Sequence, residues 1–259
     1  MKKEEIGRSE NSASLDPKEA SRFDAALLLM RTDASSCGVG TLSEKLVHRA
    51  LKFFEEPNEE HHEIEVLGSI ADIKNSGGIT EIQTRAFEKL RGKLSRFLPE
   101  YPVTLVHPLI NAIYVNYVDE KTGEVVRQRK STRRDTLNRA ACELYKIADL
   151  LPHPNLCVKI VFLDLCDVRP EGVKRAWTKS KIIERAPCAL KSTLTLREVS
   201  DYRAFLPEGL EGTFTASELG KKIRLDSRRT HNTLSLLLSL GIIERVGKEG
   251  RAFLYKAVK

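Results

Sequence analysis

Two carboxylates and an amide flank a turn in the sequence at a spacing that could hold a metal ion. Residues 63–84 contain two apolar runs separated by the polar, glycine-rich segment 75–78, a composition typical of a tight β-hairpin. With that segment as the loop, Asp72 lies opposite Glu81, and Gln83 points to the same face because strand side chains alternate. Like charges on opposed strand residues destabilise a hairpin. The pairing therefore indicates that a positive charge lies between the two carboxylates.

A surface hairpin with solvated carboxylates is the alternative interpretation. Acidic residues are common on exposed hairpins, and an opposed pair of them can splay into water. The residues around this pair are apolar, however, and indicate a largely buried hairpin in which an unpaired charge is costly. They are Ala71, Ile73, Ile79 and Ile82. We therefore favour a metal site over a solvated pair.

Three further predicted elements would position this hairpin. Residues 41–54 are predicted to form a helix, because Thr41 and Glu44 have capping-box spacing ahead of an apolar stripe. Residues 85–98 have the periodicity of an amphipathic helix, and residues 103–106 form a short β-branched run that suits a buried strand. A strand, a helix and a strand joined by short links predict a right-handed crossover between parallel strands.

This order of elements, with an Asp on one strand and Glu-x-Gln on the next, resembles the core of the PD-(D/E)xK nuclease superfamily over about residues 41–107. The resemblance implies a restriction-endonuclease-like α/β domain over residues 41–212, with a mixed sheet flanked by helices. It also implies that Asp72 and Glu81 hold Mg²⁺ or Mn²⁺, with the backbone carbonyl of Ile82 as a further ligand.

The same resemblance implies roles for three neighbouring residues. In the superfamily a third residue, usually Lys, positions the attacking water, and Gln83 stands at that position here. Members often bring a Glu, and sometimes a His, from the helix before the hairpin, which implies that Glu44 or His48 completes the site. The two lie one turn apart on the flank of the predicted helix. The alternatives are a purely capping role for Glu44 and a local hydrogen bond for His48.

A second predicted hairpin, formed by residues 113–117 and 124–129, leads into a run of basic residues. Their position on a strand end and a loop beside the predicted metal site suits a track for a phosphate backbone. A solvated loop is an equally common alternative. The basic residues are Arg127, Arg129, Lys130, Arg133 and Arg134.

The last part of the chain, residues 213–259, is predicted to form a separate small unit. Thr215 and Glu218 form a capping box at the start of a short helix, and Asp226 caps a second helix. A basic hairpin follows around residues 247–250. This order resembles a winged-helix domain.

In a winged helix, the first part of the second helix enters the major groove of DNA. Here that part carries side chains that can bond to phosphates or base edges. They are Ser227, Arg228, Arg229, Thr230, His231 and Asn232, and the hairpin tip adds Lys248 and Arg251. The alternative is a winged helix that contacts only proteins.

Composition and charge bound the class of protein. The chain has 259 residues, 41% hydrophobic and 31% charged, which suits one medium domain and one small domain after an N-terminal segment, residues 1–40, that is disordered or partly helical. The net charge of +7 favours a polyanionic partner. Five cysteines without a Cys-x-x-Cys pair favour free thiols in a reducing cytoplasm. No apolar run predicts a membrane span, so no membrane partner is expected.

Together these patterns predict a metal-dependent nuclease that hydrolyses phosphodiester bonds in DNA, with the winged helix holding the substrate. A homodimer is left open. One alternative is a non-enzymatic DNA-binding regulator with a degenerate nuclease-like core, which the Gln at position 83 keeps open. Another is a protein-interaction scaffold, which the absence of a basic patch from both domains would favour.

Overall fold

A mixed β-sheet with helices on both faces organises the chain, which is therefore an α/β protein. The computed structural model describes residues 16–32, 42–119, 121–171 and 182–258, with the side chains of residues 42–45 outside the description. In the described residues the sheet has seven strands in the order β1-β2-β3-β4-β6-β7, with β5 also paired to β4. The strands are β1 (His62–Val66), β2 (Ser69–Asn75), β3 (Gly78–Ile82), β4 (Val103–Val118), β5 (Val125–Lys130), β6 (Leu156–Pro170) and β7 (Glu184–Leu196).

The predicted hairpin and crossover are both present. Strands β2 and β3 are antiparallel, with Lys74 opposite Ile79 and Ile73 opposite Thr80, the register expected from the sequence. Strand β3 then runs parallel to β4, which in turn runs parallel to β6. The turn needs a glycine at Gly78, where φ is 124° and a Cβ would clash with the backbone carbonyl of Pro102.

Helices cover the two faces of the sheet and form two apolar clusters. Helices α1 (Pro17–Thr32) and α2 (Leu42–Glu55) pack on one face, and α3 (Arg91–Phe97) and α4 (Ala141–Leu144) pack on the other. The predicted helix over residues 85–98 begins later than expected, because Ala86 has a left-handed φ of 59° and a 3-10 turn precedes α3. Helix α1 lies within the N-terminal segment, and residues 1–15 and 33–41 lie outside the described residues.

Strand β4 is longer than the sequence predicted. The short strand over residues 103–106 and the first arm of the second hairpin are one continuous strand, whose register shifts between Ile110 and Ala112 against β6 and between Tyr117 and Val118 against β5. Strand β3 pairs with the start of β4 and β5 pairs with its end, so residues 107–113 have no neighbouring strand on that edge. Pro108, which lacks an N–H, can therefore lie within β4 without losing a ladder hydrogen bond.

The C-terminal unit, residues 213–258, matches the predicted order of elements. Strand β8 (Thr213–Thr215) precedes α5 (Ala216–Ile223) and α6 (Ser227–Ser239), and β9 (Ile243–Glu249) and β10 (Ala252–Ala257) form the hairpin. The capping box at the start of α5 and the Asp226 cap of α6 are both present. Helix α6 packs against α4, and its buried leucines belong to the same apolar cluster as α3 and α4.

None of the described helices is long and apolar enough to cross a membrane. The four cysteines within the described residues, Cys142, Cys157, Cys166 and Cys188, are free thiols.

Candidate functional site

The two predicted carboxylates line one pocket of about 310 Å³ at the point where β2 and β3 separate. After the pair of Ile73 and Thr80, the backbone N–H of Ile82 donates to the carboxylate of Asp72 at 2.7 Å instead of to a strand carbonyl. The next residue, Gln83, donates its N–H to Val106 of β4. The Asp72 carboxylate therefore fills the gap between the diverging strands. We call this pocket the carboxylate cleft.

His48 reaches the carboxylate cleft from α2. Its Nε2 lies 3.2 Å from Oδ2 of Asp72, and the Asp72 side chain is 20% exposed. Burial alone raises the pKa of the Asp72 carboxyl, but the hydrogen bond and charge of His48 and the N–H of Ile82 hold that pKa below its ordinary value. Asp72 therefore remains an anion at neutral pH. Glu44 lies one turn earlier on α2, and its side chain is outside the described residues.

Lys93 enters the cleft from α3, on the opposite face of the sheet, and binds Glu81. Its Nζ lies 2.9 and 2.7 Å from the two carboxylate oxygens of Glu81, whose side chain is only 2% exposed. Burial and the nearby charge of Asp72 raise the pKa of Glu81 to about 7, and the Lys93 ammonium opposes that rise without cancelling it. The Lys93 ammonium therefore does not fully offset the cost of ionising Glu81 in this cleft.

Gln83 also lines the cleft, but its amide is engaged elsewhere. Its Nε2 donates to the backbone carbonyl of Arg85 at 2.5 Å. Within the cleft, the ammonium that contacts Glu81 belongs to Lys93. The positive charge beside Glu81 thus comes from Lys93 on the following helix and not from residue 83.

The donor set of the cleft suits a hard divalent cation. Strand residues point their N–H and C=O to the same side, so the carbonyl of Ile82 faces the same gap as its N–H, toward Asp72. Two carboxylates and a carbonyl, completed by waters, are typical ligands of Mg²⁺. No group of three or more His, Cys, Asp or Glu side chains in the described ranges is arranged as a metal site. A metal here would thus depend on Asp72, Glu81 and water, with Lys93 displaced from Glu81 or shared.

Comparison with known proteins identifies a family for this chain. The model of the family described as "Domain of unknown function (DUF8091)" matches residues 45–197, more than half of the chain. The chain belongs to this family. It is also 27% identical over 221 residues to an "Uncharacterized protein" of Treponema pallidum (strain Nichols), a match that covers 84% of this chain and 87% of that protein. No solved structure matches the chain.

The DUF8091 match includes His48, Asp72, Glu81 and Lys93 and ends before the C-terminal unit. The carboxylate cleft therefore lies within the region that defines the family, whereas α5, α6 and the final hairpin lie outside it.

The predicted basic track follows β5 and the loop after it. Every residue of β5 is exposed, and two of its cations stack on tyrosines of β4, with Arg127 4.0 Å from the centre of the Tyr117 ring and Lys130 5.6 Å from that of Tyr114. Arg129 donates to the Tyr117 hydroxyl at 3.2 Å. Exposed cations held on aromatic rings suit contact with a polyanion.

The two arginines after β5 are also exposed, but they differ in position. Arg133 lines a second pocket, of about 360 Å³, which shares Thr84 and Arg85 with the carboxylate cleft. Arg134 does not line either of these two pockets. The basic track thus approaches the cleft at Arg133.

Only some of the residues predicted to contact DNA are exposed at the start of α6. Arg228, Arg229 and His231 are exposed, whereas Asn232 is half-buried. Arg229 forms an ion pair with Asp226 at 2.8 Å, and Nδ1 of His231 lies 2.7 Å from the carbonyl of Ser227. The prediction for Thr230 is wrong, because it is 1% exposed and its hydroxyl donates to the carbonyl of Asp226.

The tip of the final hairpin carries the remaining predicted cations. Lys248 lies 4.7 Å from the centre of the Phe253 ring, and Arg251 is exposed. Arg245 lies over the same ring, also at 4.7 Å. The hairpin therefore presents a group of exposed cations, two of which lie over the Phe253 ring.

The sequence analysis gave no role to Lys93. The signal that could have found it is its position on α3 beside Leu90 and Leu94, which places it at the boundary of the buried stripe. A long side chain at that boundary can reach over the edge of the sheet to Glu81. His107 precedes a proline, a position common in turns, but it is buried in β4, with Nδ1 2.7 Å from the carbonyl of Gln83.

Proposed function

We propose that this protein is a metal-dependent nuclease that hydrolyses phosphodiester bonds in DNA, with a core of the PD-(D/E)xK kind and a C-terminal winged helix that holds the substrate. The observation that carries the proposal is the convergence of Asp72, Glu81, His48 and Lys93 in one cleft. These side chains come from four different elements. A role in solubility does not explain why two carboxylates lie in one cleft and are largely buried.

In this proposal Asp72, Glu81 and the carbonyl of Ile82 hold Mg²⁺ or Mn²⁺. When bound, such an ion lowers the pKa of a coordinated water and offsets charge that develops on the phosphate. His48 orients the Asp72 carboxylate through the 3.2 Å contact. Glu81, whose pKa is about 7, is readily ionised near neutral pH and is then available as a ligand.

Lys93 supplies the positive charge that the superfamily usually takes from the second residue after the Glu. In the absence of a metal it partly neutralises Glu81. Once a metal shares that carboxylate, the ammonium is placed to orient the attacking water or to bind a phosphate oxygen. Gln83 then contributes mainly through its hydrogen bond to Arg85, which fixes the chain at the end of β3.

The basic surfaces support nucleic acid as the substrate. The track along β5 leads through Arg133 to the second pocket, which shares Arg85 with the carboxylate cleft, and Lys89 lines the cleft itself. Phosphate contacts of this kind position a nucleic-acid backbone without reading its sequence. The exposed start of α6 and the cations of the final hairpin provide a second binding surface.

A non-enzymatic DNA-binding regulator is the second candidate. It is favoured by the direct ion pair between Lys93 and Glu81, which gives the buried carboxylate a partner without any metal. In that case the cleft is a structural feature, and the basic surfaces alone carry the function.

The test is a cleavage assay with the purified full-length protein. Plasmid and single-stranded DNA are incubated with Mg²⁺ or Mn²⁺, and parallel reactions contain EDTA. We expect metal-dependent cleavage that Glu81→Gln abolishes and that the exposed control Glu65→Gln retains. Cleavage that persists in EDTA, or equally in Glu81→Gln, would indicate a contaminant or a different site. DNA binding without cleavage under any metal would favour the regulator.

A further inference from the structure

The sheet has a notch beside the carboxylate cleft. Strand β3 ends at Ile82 and β5 pairs with β4 only from Tyr114 onward, so the β4 edge between them is not covered by a strand. A pocket of about 360 Å³ lies at this notch and shares Thr84 and Arg85 with the cleft. A ligand in the notch would therefore lie next to whatever is bound between Asp72 and Glu81.

The lining of the notch combines an apolar wall with cations. Val47, Leu163 and Leu165 provide the wall together with Ile110. Four arginines also line the pocket, namely Arg85, Arg133, Arg139 and Arg185. An apolar wall with convergent cationic groups suits a ligand that has a flat apolar part and a phosphate.

The carboxylates of the notch are already engaged within the protein. Asp135 accepts a hydrogen bond from the N–H of Ile110 at 3.1 Å. Glu143 accepts one from the N–H of Phe87 at 3.1 Å and one from Lys146 at 2.9 Å. One arginine, Arg185, is likewise held by Asp167 at 2.6 and 2.7 Å. The positive charge available to a ligand at the notch is therefore assigned to Arg133 and Arg139.

We propose that the notch binds one unpaired nucleotide of the substrate strand, directly beside the phosphate held in the carboxylate cleft. Its base lies against the apolar wall, and its phosphate is bound by Arg133 and Arg139. A pocket of this size takes one nucleotide and cannot take a stacked base pair, and enzymes that act on an extruded nucleotide bind it in a snug pocket of this kind. This inference rests on the proposed nuclease function and narrows its substrate to single-stranded or locally unpaired DNA.

The first test is binding in EDTA, where no metal-dependent cleavage occurs. A fluorescent single-stranded oligonucleotide and the blunt duplex of the same sequence are titrated with full-length protein at several salt concentrations. We expect tighter binding of the single strand. Arg133→Ala should weaken that binding several-fold and lower the salt slope by about one. The matched control is Arg134→Ala, which removes the neighbouring charge outside the notch and should have a smaller effect on the single strand.

The second test uses Cys142, a half-buried free thiol that lines the notch. The protein is alkylated with a maleimide in the presence and absence of the oligonucleotide, and modification of each cysteine peptide is measured by mass spectrometry. We expect the single strand to protect Cys142 at least several-fold and to leave Cys157, which lies on β6 outside the notch lining, unchanged. A preference for duplex, or equal labelling of Cys142 with and without DNA, would overturn the inference.

The two proposals fail in different ways. If duplex DNA is cut while Cys142 stays reactive, the nuclease function holds and the notch is not a nucleotide site. If the single strand protects Cys142 but no DNA is cut with any metal, the notch binds a nucleotide and the nuclease function is wrong.

Discussion

The carboxylate cleft and the C-terminal unit both contain charged residues that were predicted from sequence patterns, but these charges differ in burial and in their partners. In the cleft, Glu81 is 2% exposed and is bound by a cation from another element. In the C-terminal unit, Arg228 and Arg251 are exposed, and Arg229 pairs only with its own helix cap. The first arrangement has an energetic cost that folding must offset, whereas the second costs almost nothing.

This difference shows where an inference of function is strong. Ionised Glu81 destabilises the metal-free protein, because burial and the charge of Asp72 raise its pKa, so its presence here needs a reason such as a ligand. Exposed arginines on a helix are compatible with DNA, with a protein partner or with solvent alone. The geometry of the cleft therefore supports the proposed chemistry directly, whereas the exposed arginines of the C-terminal unit support DNA binding only through their charge.

The largest expected effect is on catalysis, from Asp72→Asn. The change removes one anionic ligand and keeps the shape of the side chain, so the fold should persist. Metal catalysis supplies several kcal/mol of transition-state stabilisation, so cleavage should fall by at least about 100-fold. Cleavage rates with Mn²⁺ give this ratio. The melting temperature of the parent should also rise with Mn²⁺, and that of the variant should not. A normal rate in Asp72→Asn would remove the cleft from the mechanism.

The next effect is on stability, through the titration of Glu81 in metal-free protein. Its folded pKa of about 7 lies above the ordinary value of 4.5, so between these pH values the folded state holds a proton that the unfolded chain has released. This titration alone should lower the free energy of unfolding by about 3 kcal/mol as the pH rises from about 4.5 to 8. Buried His107, whose pKa is lowered, contributes in the opposite direction within this range, so the quantity to compare is the difference between the parent and Glu81→Gln. Denaturant titrations of both forms in EDTA measure that difference.

The Asp72 carboxyl does not obscure this test, because its pKa is shifted in the opposite direction. Its folded pKa lies below the ordinary 3.8, so its contribution is present above that pH and is lost only at lower values. A difference between the parent and Glu81→Gln that stays constant from pH 5 to 8 would mean that Lys93 keeps Glu81 ionised throughout.

Local patterns in the sequence were sufficient to predict most of the elements and their order. The hairpin register followed from one glycine-rich turn, because the period of two in a strand fixes every opposed pair once the turn is placed. The caps of α5 and α6 were likewise readable, since a capping box depends on residues three positions apart. Both predictions rest on interactions within a few residues of the chain.

The features that the sequence did not predict depend on contacts between distant residues. Lys93 contacts Glu81 because α3 packs on the sheet close to the end of β3. His107 lies in a strand because β6 pairs with β4 along this stretch. The notch exists because β3 and β5 pair with different parts of β4. None of these three features follows from a pattern of neighbouring residues, because each depends on how distant strands and helices pack together.

A smaller effect is expected from Lys93→Met, which tests the cation that the sequence analysis missed. The change leaves Glu81 buried without its partner, and at pH 8 it should lower the free energy of unfolding by about 2 kcal/mol. At pH 5 the loss should be smaller, because Glu81 is then neutral. Denaturant titrations at both pH values measure the difference.

The control for this variant is Lys89→Met, which removes an exposed ammonium from the rim of the same pocket and should change stability by less than about 0.5 kcal/mol. In a Glu81→Gln background the effect of Lys93→Met should also shrink, which isolates the pair. Equal losses for the two lysine variants would show that the ion pair contributes nothing specific.

The smallest effect is expected at the C-terminal unit, from Arg228→Ala combined with Arg229→Ala. Neither side chain is buried, so stability should be almost unchanged, and only DNA binding should weaken. If both contact phosphates, the slope of log affinity against log salt falls by up to about two. Arg228 should account for most of it, because Arg229 must first leave Asp226. Arg96→Ala, which removes one exposed positive charge from α3, is the control for a general loss of charge. An unchanged slope would mean that α6 does not contact the DNA backbone, and the C-terminal unit would then fit a protein partner better than a winged helix that holds the substrate.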